Sequence, residues 1–196
     1  RAYFTPASAI GFHTPGIASR GNICAPKIVL GTLYVVGVGD GVNLMGNNFT
    51  INSRNGSVGS VAQYLVGDSN GVVNLAANQD VYYRELNGDL VSDRIVTGGG
   101  AIGIEAINGD LTLGLVSASG PAQLLAGGDS LTADRVEGQS VALAVAAESG
   151  SLAVNEVLVV DRLVVNADRI DLPDVQHSGS DTLRVAISGN DGGAAD

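Results

Sequence analysis

A repeat of about 20 residues constrains this chain more than any other feature of its sequence. Four segments begin with Leu and carry Val or Ile five positions later, and their leading leucines are 21, 20 and 21 residues apart. These leucines are Leu90, Leu111, Leu131 and Leu152. A fixed period of this length indicates an architecture of stacked copies of one small structural unit.

Each repeat combines a turn with short alternating runs. The turns before the four leucines are Asn87-Gly88-Asp89, Asn108-Gly109-Asp110, Gly128-Asp129-Ser130 and Ser149-Gly150-Ser151. Gly, Asn and Asp tolerate the backbone conformations that tight turns need. Between the turns, alternation with period two, as in residues 141–145 (VALAV), is typical of half-buried strands. A unit this short has no room for a helix of ordinary length, so the sequence predicts an all-β fold.

A parallel β-helix, or β-solenoid, with about 20 residues per coil accounts for this pattern. One repeat cannot bury its apolar face alone, whereas stacked coils line up Leu, Val, Ile and Ala in continuous ladders. A β-sandwich is the competing fold, because it also alternates short strands with turn signals. Sandwich strands have no reason to recur at fixed spacing, so the repeat favours the solenoid.

The composition supports this fold and excludes some functions. Gly occupies 28 of 196 positions, aromatic residues make up 4%, and 15 Asp accompany only 5 Glu, as expected for a chain rich in turns. The net charge is -10 and Lys27 is the only lysine, which argues against binding nucleic acid or an anionic membrane surface. Cys24 is the single cysteine, so an internal disulfide is excluded.

The repeat is clearer in the later part of the chain than at its start. We expect residues 1–49 to form an irregular lead-in or cap with the first coils, and residues 50–196 to form the repeating β-helix shaft. Pro6, Pro15 and Pro26 fall in the lead-in. The first residues show neither an initiator Met nor the pattern of a signal peptide, and we interpret the chain as processed or as part of a longer protein.

Three consecutive phrases carry a resemblance to a known family. They are residues 55–66 (NGSVGSVAQYLV), residues 71–81 (GVVNLAANQDV) and residues 82–90 (YYRELNGDL). They resemble the filamentous haemagglutinin-like large adhesins and exoproteins of two-partner secretion, in which such phrases recur along a right-handed β-helix. Residues 138–145 (GQSVALAV) and 183–196 (LRVAISGNDGGAAD) are similar too, so the resemblance covers roughly residues 50–196.

The resemblance implies a secreted or surface-anchored bacterial protein whose rigid shaft serves cell attachment, aggregation or biofilm formation. Its implied partners are a host-cell or bacterial surface or a matrix polysaccharide. The family's N-terminal secretion module is not visible, so an outer-membrane transporter would be a partner only through a module that this sequence lacks. The alternatives are a self-assembling extracellular filament subunit that stacks solenoids end to end, and a β-helix enzyme that acts on polysaccharide.

Stacked carboxylates are the main candidates for chemistry. Asp89, Asp110 and Asp129 are about one coil apart and are expected to lie along one edge of the rod. Paired carboxylates act as acid and base in glycoside hydrolysis, and turn carboxylates with carbonyls suit a hard cation such as Ca²⁺. Simple solvated turns are the favoured explanation of these residues, so the sequence assigns no catalytic, cofactor or metal residue and predicts no enzyme.

The remaining candidates are explained by ordinary structural roles. Four Asp-Arg pairs precede aliphatic residues: Asp93-Arg94, Asp134-Arg135, Asp161-Arg162 and Asp168-Arg169. The first two pairs are 41 residues apart, which is two coils, so they are expected to project from the same face. A solvated charged surface is favoured over a recognition ladder for a partner. His13 and His177 are far apart, and His177 is expected in an exposed turn. The Gly-rich segments 37–41 and 98–100 lack the Lys-Ser/Thr ending of a phosphate loop and are interpreted as bends between strands. Residues 37–41 and 189–193 are loose acidic turns without a calcium-loop pattern, and Cys24 is interpreted as a small packing residue.

Overall fold

The structure is a computed structural model that describes residues 42–188 and, before them, five short strand segments. The described residues contain nineteen strands and no helix. The strands are β1 (Ile10–Phe12), β2 (Ile17–Ala18), β3 (Ile23–Cys24), β4 (Lys27–Thr32), β5 (Val35–Val36), β6 (Leu44–Gly46), β7 (Asn48–Ser53), β8 (Leu65–Ser69), β9 (Val73–Ala77), β10 (Val81–Glu85), β11 (Leu90–Thr97), β12 (Ile102–Ala106), β13 (Leu111–Ser117), β14 (Ala122–Ala126), β15 (Ser130–Val145), β16 (Ser151–Asn166), β17 (Arg169–Asp171), β18 (Val175–His177) and β19 (Arg184–Ser188).

Every pairing between these strands is parallel and joins residues about one coil apart. Leu90 lies beside Leu111, Leu111 beside Leu131, and Leu131 beside Leu152, as the repeat predicts. The coil has about 21 residues per turn, and residues 42–188 make about seven turns. The prediction of an all-β solenoid is confirmed, and the β-sandwich is excluded because its sheets are antiparallel. The right-handed winding implied by the resemblance stays a prediction.

Each coil has three sides, which we name by one representative coil. Side A holds β10 at 81–85, side B holds residues 90–92, and side C holds residues 94–97. Within a side, residues alternate between core and solvent with period two. At a corner, two successive residues point outward, and the alternation resumes in the new direction, as at Asp93 and Arg94 in β11.

The core consists of apolar ladders that run along the rod. Leu90, Leu111, Leu131 and Leu152 are each at most 1% exposed and form one ladder on side B. Side C contributes a second ladder, Ile95, Val116, Val136 and Val157, and side A a third, Val81, Ile102, Ala122, Val141 and Leu163. Burying one full-sized aliphatic side chain of such a ladder contributes roughly 1.5 to 3 kcal/mol to stability.

The polar side chains buried in the described core all lie before residue 98. They are Asn43, Ser53, Ser69, Glu85, Ser92 and Thr97. Within the described part of the chain, the core beyond this point consists of aliphatic residues and Ala. The coils that hold the polar residues are also the less regular ones, because Leu65 pairs with Tyr83 across a shortened coil and Phe49 pairs with Val73 across a lengthened one.

Residues 1–41 are described only as strand segments. β1, β2 and β3 pair in parallel with β4, β5 and β6, so the same type of pairing extends toward the N-terminus. Most of the predicted lead-in lies outside the described residues. The division into 1–49 and 50–196 therefore stays a prediction.

Candidate functional site

The stacked aspartates lie where the repeat predicts, at the corner between sides A and B. The Asp89 carboxylate accepts a hydrogen bond from the backbone N–H of Asp110 at 2.9 Å. The Asp110 carboxylate in turn accepts from the backbone N–H of Asp129 at 2.7 Å and of Ser130 at 2.9 Å. Each of these two side chains thus satisfies backbone donors of the next coil, a role that needs no ligand.

The electrostatics of this corner agree with that role. Desolvation acts to raise the pKa of Asp110, but hydrogen bonds from Ser130 and Asp129 outweigh it and lower the pKa. Among the described residues, no group of three or more His, Cys, Asp and Glu side chains is arranged to hold a metal ion. The hydrogen bonds stabilise the ionised form of the Asp110 carboxylate, which binds the backbone N–H groups of the next turn. They disfavour the protonated form that general acid catalysis requires.

The four Asp-Arg pairs all lie at corners of the coil. Asp93-Arg94 and Asp134-Arg135 turn side B into side C, and Arg94 and Arg135 flank Leu115 in one column, two coils apart as expected. The other two pairs lie at different corners: Asp161-Arg162 is at the C to A corner and Asp168-Arg169 is at the A to B corner. The prediction that the first two pairs share a face is therefore confirmed, and the four pairs together occupy three different corners of the coil.

Arg135 shows what one of these corner residues does. Its guanidinium pairs with Glu137 on the same strand and with Glu156 on the next coil, the latter at 3.0 Å. Glu137 also accepts a hydrogen bond from the Ser117 hydroxyl at 2.6 Å. Because these side chains are partly solvated, each interaction contributes little to the free energy of unfolding. Together the interactions connect three neighbouring coils along side C.

The other predicted candidates do not come together. His177 is at the end of strand β18 and is half-buried, so the expected exposed turn is wrong; its Nε2 lies 2.6 Å from the Val160 carbonyl oxygen. Residues 98–100 form a bend, as expected. His13 and the Gly-rich segments 37–41 and 189–193 lie outside the described residues. Cys24 lies in β3, and its side chain is outside the description too.

A tyrosine patch on side A, formed by Tyr64, Tyr82, Arg84 and Glu105, was not anticipated from the sequence. The Tyr64 and Tyr82 rings meet edge to face, with centroids 5.4 Å apart. The Arg84 guanidinium lies 4.8 Å from the centre of the Tyr64 ring. It also pairs with Glu105, through Nε and Nη2 at 2.7 Å each to the same carboxylate oxygen. The four side chains come from three successive coils.

Gly103 makes room for this patch. A side chain at position 103 would run into the Tyr82 ring and the Tyr64 hydroxyl, because Gly103 lies beside Tyr82 in the register. Both rings are half-buried, and burial raises the pKa of both hydroxyl groups, so they remain protonated hydrogen-bond donors at neutral pH. The patch thus offers aromatic surface, hydroxyl groups and an ion pair together on an outward face of the rod.

The register could have revealed part of this patch in advance. Arg84 and Glu105 are separated by one full coil, so opposite charges at that spacing meet on adjacent strands. Tyr64 and Tyr82 are closer together in sequence than one repeat, because the coil between them is shortened. The regular period does not predict that contact.

A second unexpected feature lies inside the rod. Glu85 is fully buried, and its carboxylate accepts hydrogen bonds from the Tyr83 hydroxyl and the backbone N–H of Ser69, both at 2.7 Å. Burial raises the pKa of Glu85 to about 7, although these hydrogen bonds act in the opposite direction. Gly67 leaves the space that the Tyr83 hydroxyl occupies.

The outer surface of side B forms an open groove. It has a volume of about 380 Å³ and crosses four coils, with Thr112 and Thr132 on its floor and Asp93, Asp134 and Asn155 along its corner edge. The groove contains neither an aromatic ring nor a histidine. Asp134 and Asp93 receive hydrogen bonds from the amides of Asn155 and Asn74 at 3.3 and 3.4 Å.

Comparisons with protein-family models, with curated proteins and with solved structures found no match to this chain. A helix that could span a membrane is absent from the part of the chain that the structure describes.

Proposed function

We propose that this chain is a non-enzymatic, adhesive shaft segment of a secreted or surface-anchored bacterial adhesin. The observation that carries the proposal is the set of apolar ladders that run along the parallel turns of the rod, such as the ladder of Leu90, Leu111, Leu131 and Leu152. Each coil is bound to the next on three sides by backbone hydrogen bonds, so bending the rod requires several ladders to strain together. Such a rod holds binding surfaces at a distance from their anchor.

The surface charge suits this role. The chain carries a net charge of -10, and its charged side chains are concentrated at the corners of the coil rather than on one face. Like-charged rods repel each other side by side, which favours dispersed, solvated shafts. The same charge disfavours acidic polysaccharides as partners, so a neutral glycan fits better.

The tyrosine patch is the surface that we assign to attachment. An aromatic ring can stack on the apolar face of a sugar, while Tyr hydroxyl groups and an Arg-Glu pair can hydrogen-bond its hydroxyls. Tyr82 and Tyr64 supply the rings, and Arg84 with Glu105 supplies charged donors and acceptors within the same patch. The proposed ligand class is a neutral surface or matrix glycan.

Attachment can be tested with the purified chain immobilised on beads. We expect the beads to bind neutral glycans on an array and to bind cells that display them. The double variant Tyr64→Ala/Tyr82→Ala should bind these glycans at least about tenfold more weakly. A tenfold change in affinity corresponds to only about 1.4 kcal/mol of binding free energy. Val91→Ala, an outward-facing change on side B, is the matched control and should bind like the wild type.

Two results would contradict the proposal. Equal binding by the wild type and the double variant would show that the tyrosine patch is not the attachment site, provided that both chains have the same circular dichroism spectrum. Release of reducing or unsaturated sugar ends from a polysaccharide panel, with or without Ca²⁺, would show that the chain is an enzyme that cleaves polysaccharide.

A further inference from the structure

An insertion in side A lies directly beside the tyrosine patch. Val58 pairs with Val81 and Leu65 pairs with Tyr83, across the same two neighbouring coils. Seven positions separate Val58 from Leu65, whereas two separate Val81 from Tyr83. The earlier coil therefore holds five extra residues at the position that faces Tyr82.

The insertion (residues 59–63) leaves the sheet in a defined way. Gly59 has a φ of +69°, and a side chain there would run into the Tyr82 carbonyl oxygen and the backbone N of Leu65. Glycine is therefore needed at the point where the chain turns outward. Ser60 and Gln63 then exchange two backbone hydrogen bonds, at 2.8 and 3.1 Å, which close a tight turn.

The tip of the insertion points into solvent. Val61 is 74% exposed, and Ala62 and Gln63 are exposed as well. The next residue, Tyr64, packs its ring against Tyr82, and its hydroxyl lies close to Gly103 on a later coil. The insertion thus stands at the end of the patch that faces the earlier coils, and Tyr64 leans from its base toward the later ones.

Beyond the patch, side A continues as a shallow floor without charge. Its outward residues are Gly103, Gln123, Ala142 and Val164 in the column of Tyr82, and Leu125, Ala144 and Asn166 in the column of Glu105. Adjacent coils are about 4.8 Å apart, a spacing comparable to one sugar unit of an extended chain. A linear glycan along the rod axis therefore has an open path toward the later coils, whereas the insertion blocks the other direction.

We propose that the insertion is an end stop, so that the tyrosine patch binds the terminal sugars of a linear neutral glycan whose chain runs along side A toward the later coils. The inference rests on the attachment proposed for the tyrosine patch, and it narrows the ligand from neutral glycans in general to their chain ends. A glycan bound through its internal sugars would have to cross the space that the insertion occupies.

Inhibition by chains of different length tests the end stop. The probes are linear neutral glucan, mannan and galactan, each prepared as a long and a short fraction that competes with binding of the beads to the same glycan. At equal mass, chains about ten times shorter carry about tenfold more ends and should inhibit the wild type at about a tenfold lower mass concentration. Binding to internal sugars predicts equal inhibition at equal mass instead.

Deletion of residues 60–63 removes the turn and keeps Tyr64. Residues in an antiparallel pair lie about 4.5 to 5.5 Å apart and one peptide bond spans about 3.8 Å, so Gly59 can be joined to Tyr64 with a small shift. The deletion variant should be inhibited equally by both fractions at equal mass, because a glycan can then pass the patch in both directions. Val61→Ser keeps the length of the insertion and is the matched control, which should retain the preference for short chains.

Equal inhibition of the wild type by both fractions at equal mass would overturn the end stop and leave the attachment in place. A deletion variant that keeps the preference for short chains would overturn it as well. If the deletion changes the circular dichroism spectrum, the comparison of the two fractions on the wild type decides alone. Absence of binding to all three glycans would contradict the attachment itself, and the end stop with it.

Discussion

The buried carboxylate of Glu85 leads to a specific prediction about pH and stability. In the folded chain its pKa is about 7, compared with 4.5 for an unperturbed glutamate. As the pH rises from 4.5 to 7, the unfolded chain releases this proton before the folded chain does, so the free energy of unfolding falls. The stabilisation is complete below about pH 4.5 and is lost by the time the pH has passed about 7.

The size of this effect follows from the shift. Each unit of pKa corresponds to about 1.36 kcal/mol, so the loss for Glu85 is about 3 kcal/mol. Glu85→Gln removes the titration while preserving the shape of the side chain. Its amide oxygen can still accept from the N–H of Ser69, and its NH₂ group can donate to the Tyr83 hydroxyl.

Urea unfolding followed by circular dichroism between about pH 4 and pH 8.5 measures this difference. We expect the wild type and Glu85→Gln to be similar at pH 4, and the variant to be more stable at pH 8 by about 3 kcal/mol. Glu148→Gln, at a turn, should follow the wild type across the whole range. Parallel curves for the wild type and Glu85→Gln would refute the reasoning.

Three further substitutions test the ladders, the corners and the turns, each by thermal or urea unfolding. Leu131→Asp puts a charge into the side B ladder, where Leu131 is 0% exposed, and should cost about 4 kcal/mol or more; unchanged stability would refute the register. Asp134→Ala removes only an exposed hydrogen bond and should change stability by less than about 0.5 kcal/mol. Gly109→Ala would push a methyl group into the Gly88 carbonyl and should lower the free energy of unfolding by about 2 kcal/mol. Gly99→Ala is the control and should be nearly neutral, because the nearest atom to its methyl group would be 3.5 Å away. Equal losses of stability in the two variants would show that the close approach at Gly109 is unimportant.

The fold could be predicted to a large extent because its main signals are local and periodic. Leu90, Leu111, Leu131 and Leu152 recur at the spacing of one coil, and in the structure they form one buried ladder. The stacking of Asp89 with Asp110 followed from the same spacing. A period in sequence becomes a column in space whenever each coil pairs in parallel with the next.

The candidate surfaces were less predictable because they depend on departures from the period. Asp161-Arg162 and Asp168-Arg169 lie at corners of the coil. In the sequence, a corner is marked only by two successive residues that face outward, so its position is hard to predict. The shortened coil between Leu65 and Tyr83 brought Tyr64 onto Tyr82, although the spacing of these two tyrosines differs from the repeat.

The sequence by itself determined that this chain folds as stacked β-coils, since a regular repeat of alternating apolar residues and turns of Gly, Asp and Asn can bury its core only by stacking. Only the tertiary structure decided which polar groups face the core and which ones meet on side A. The physical reason is that the alternation of apolar and polar residues specifies only which residues of each strand face the core. The offset between coils depends on backbone hydrogen bonding across turns of different length.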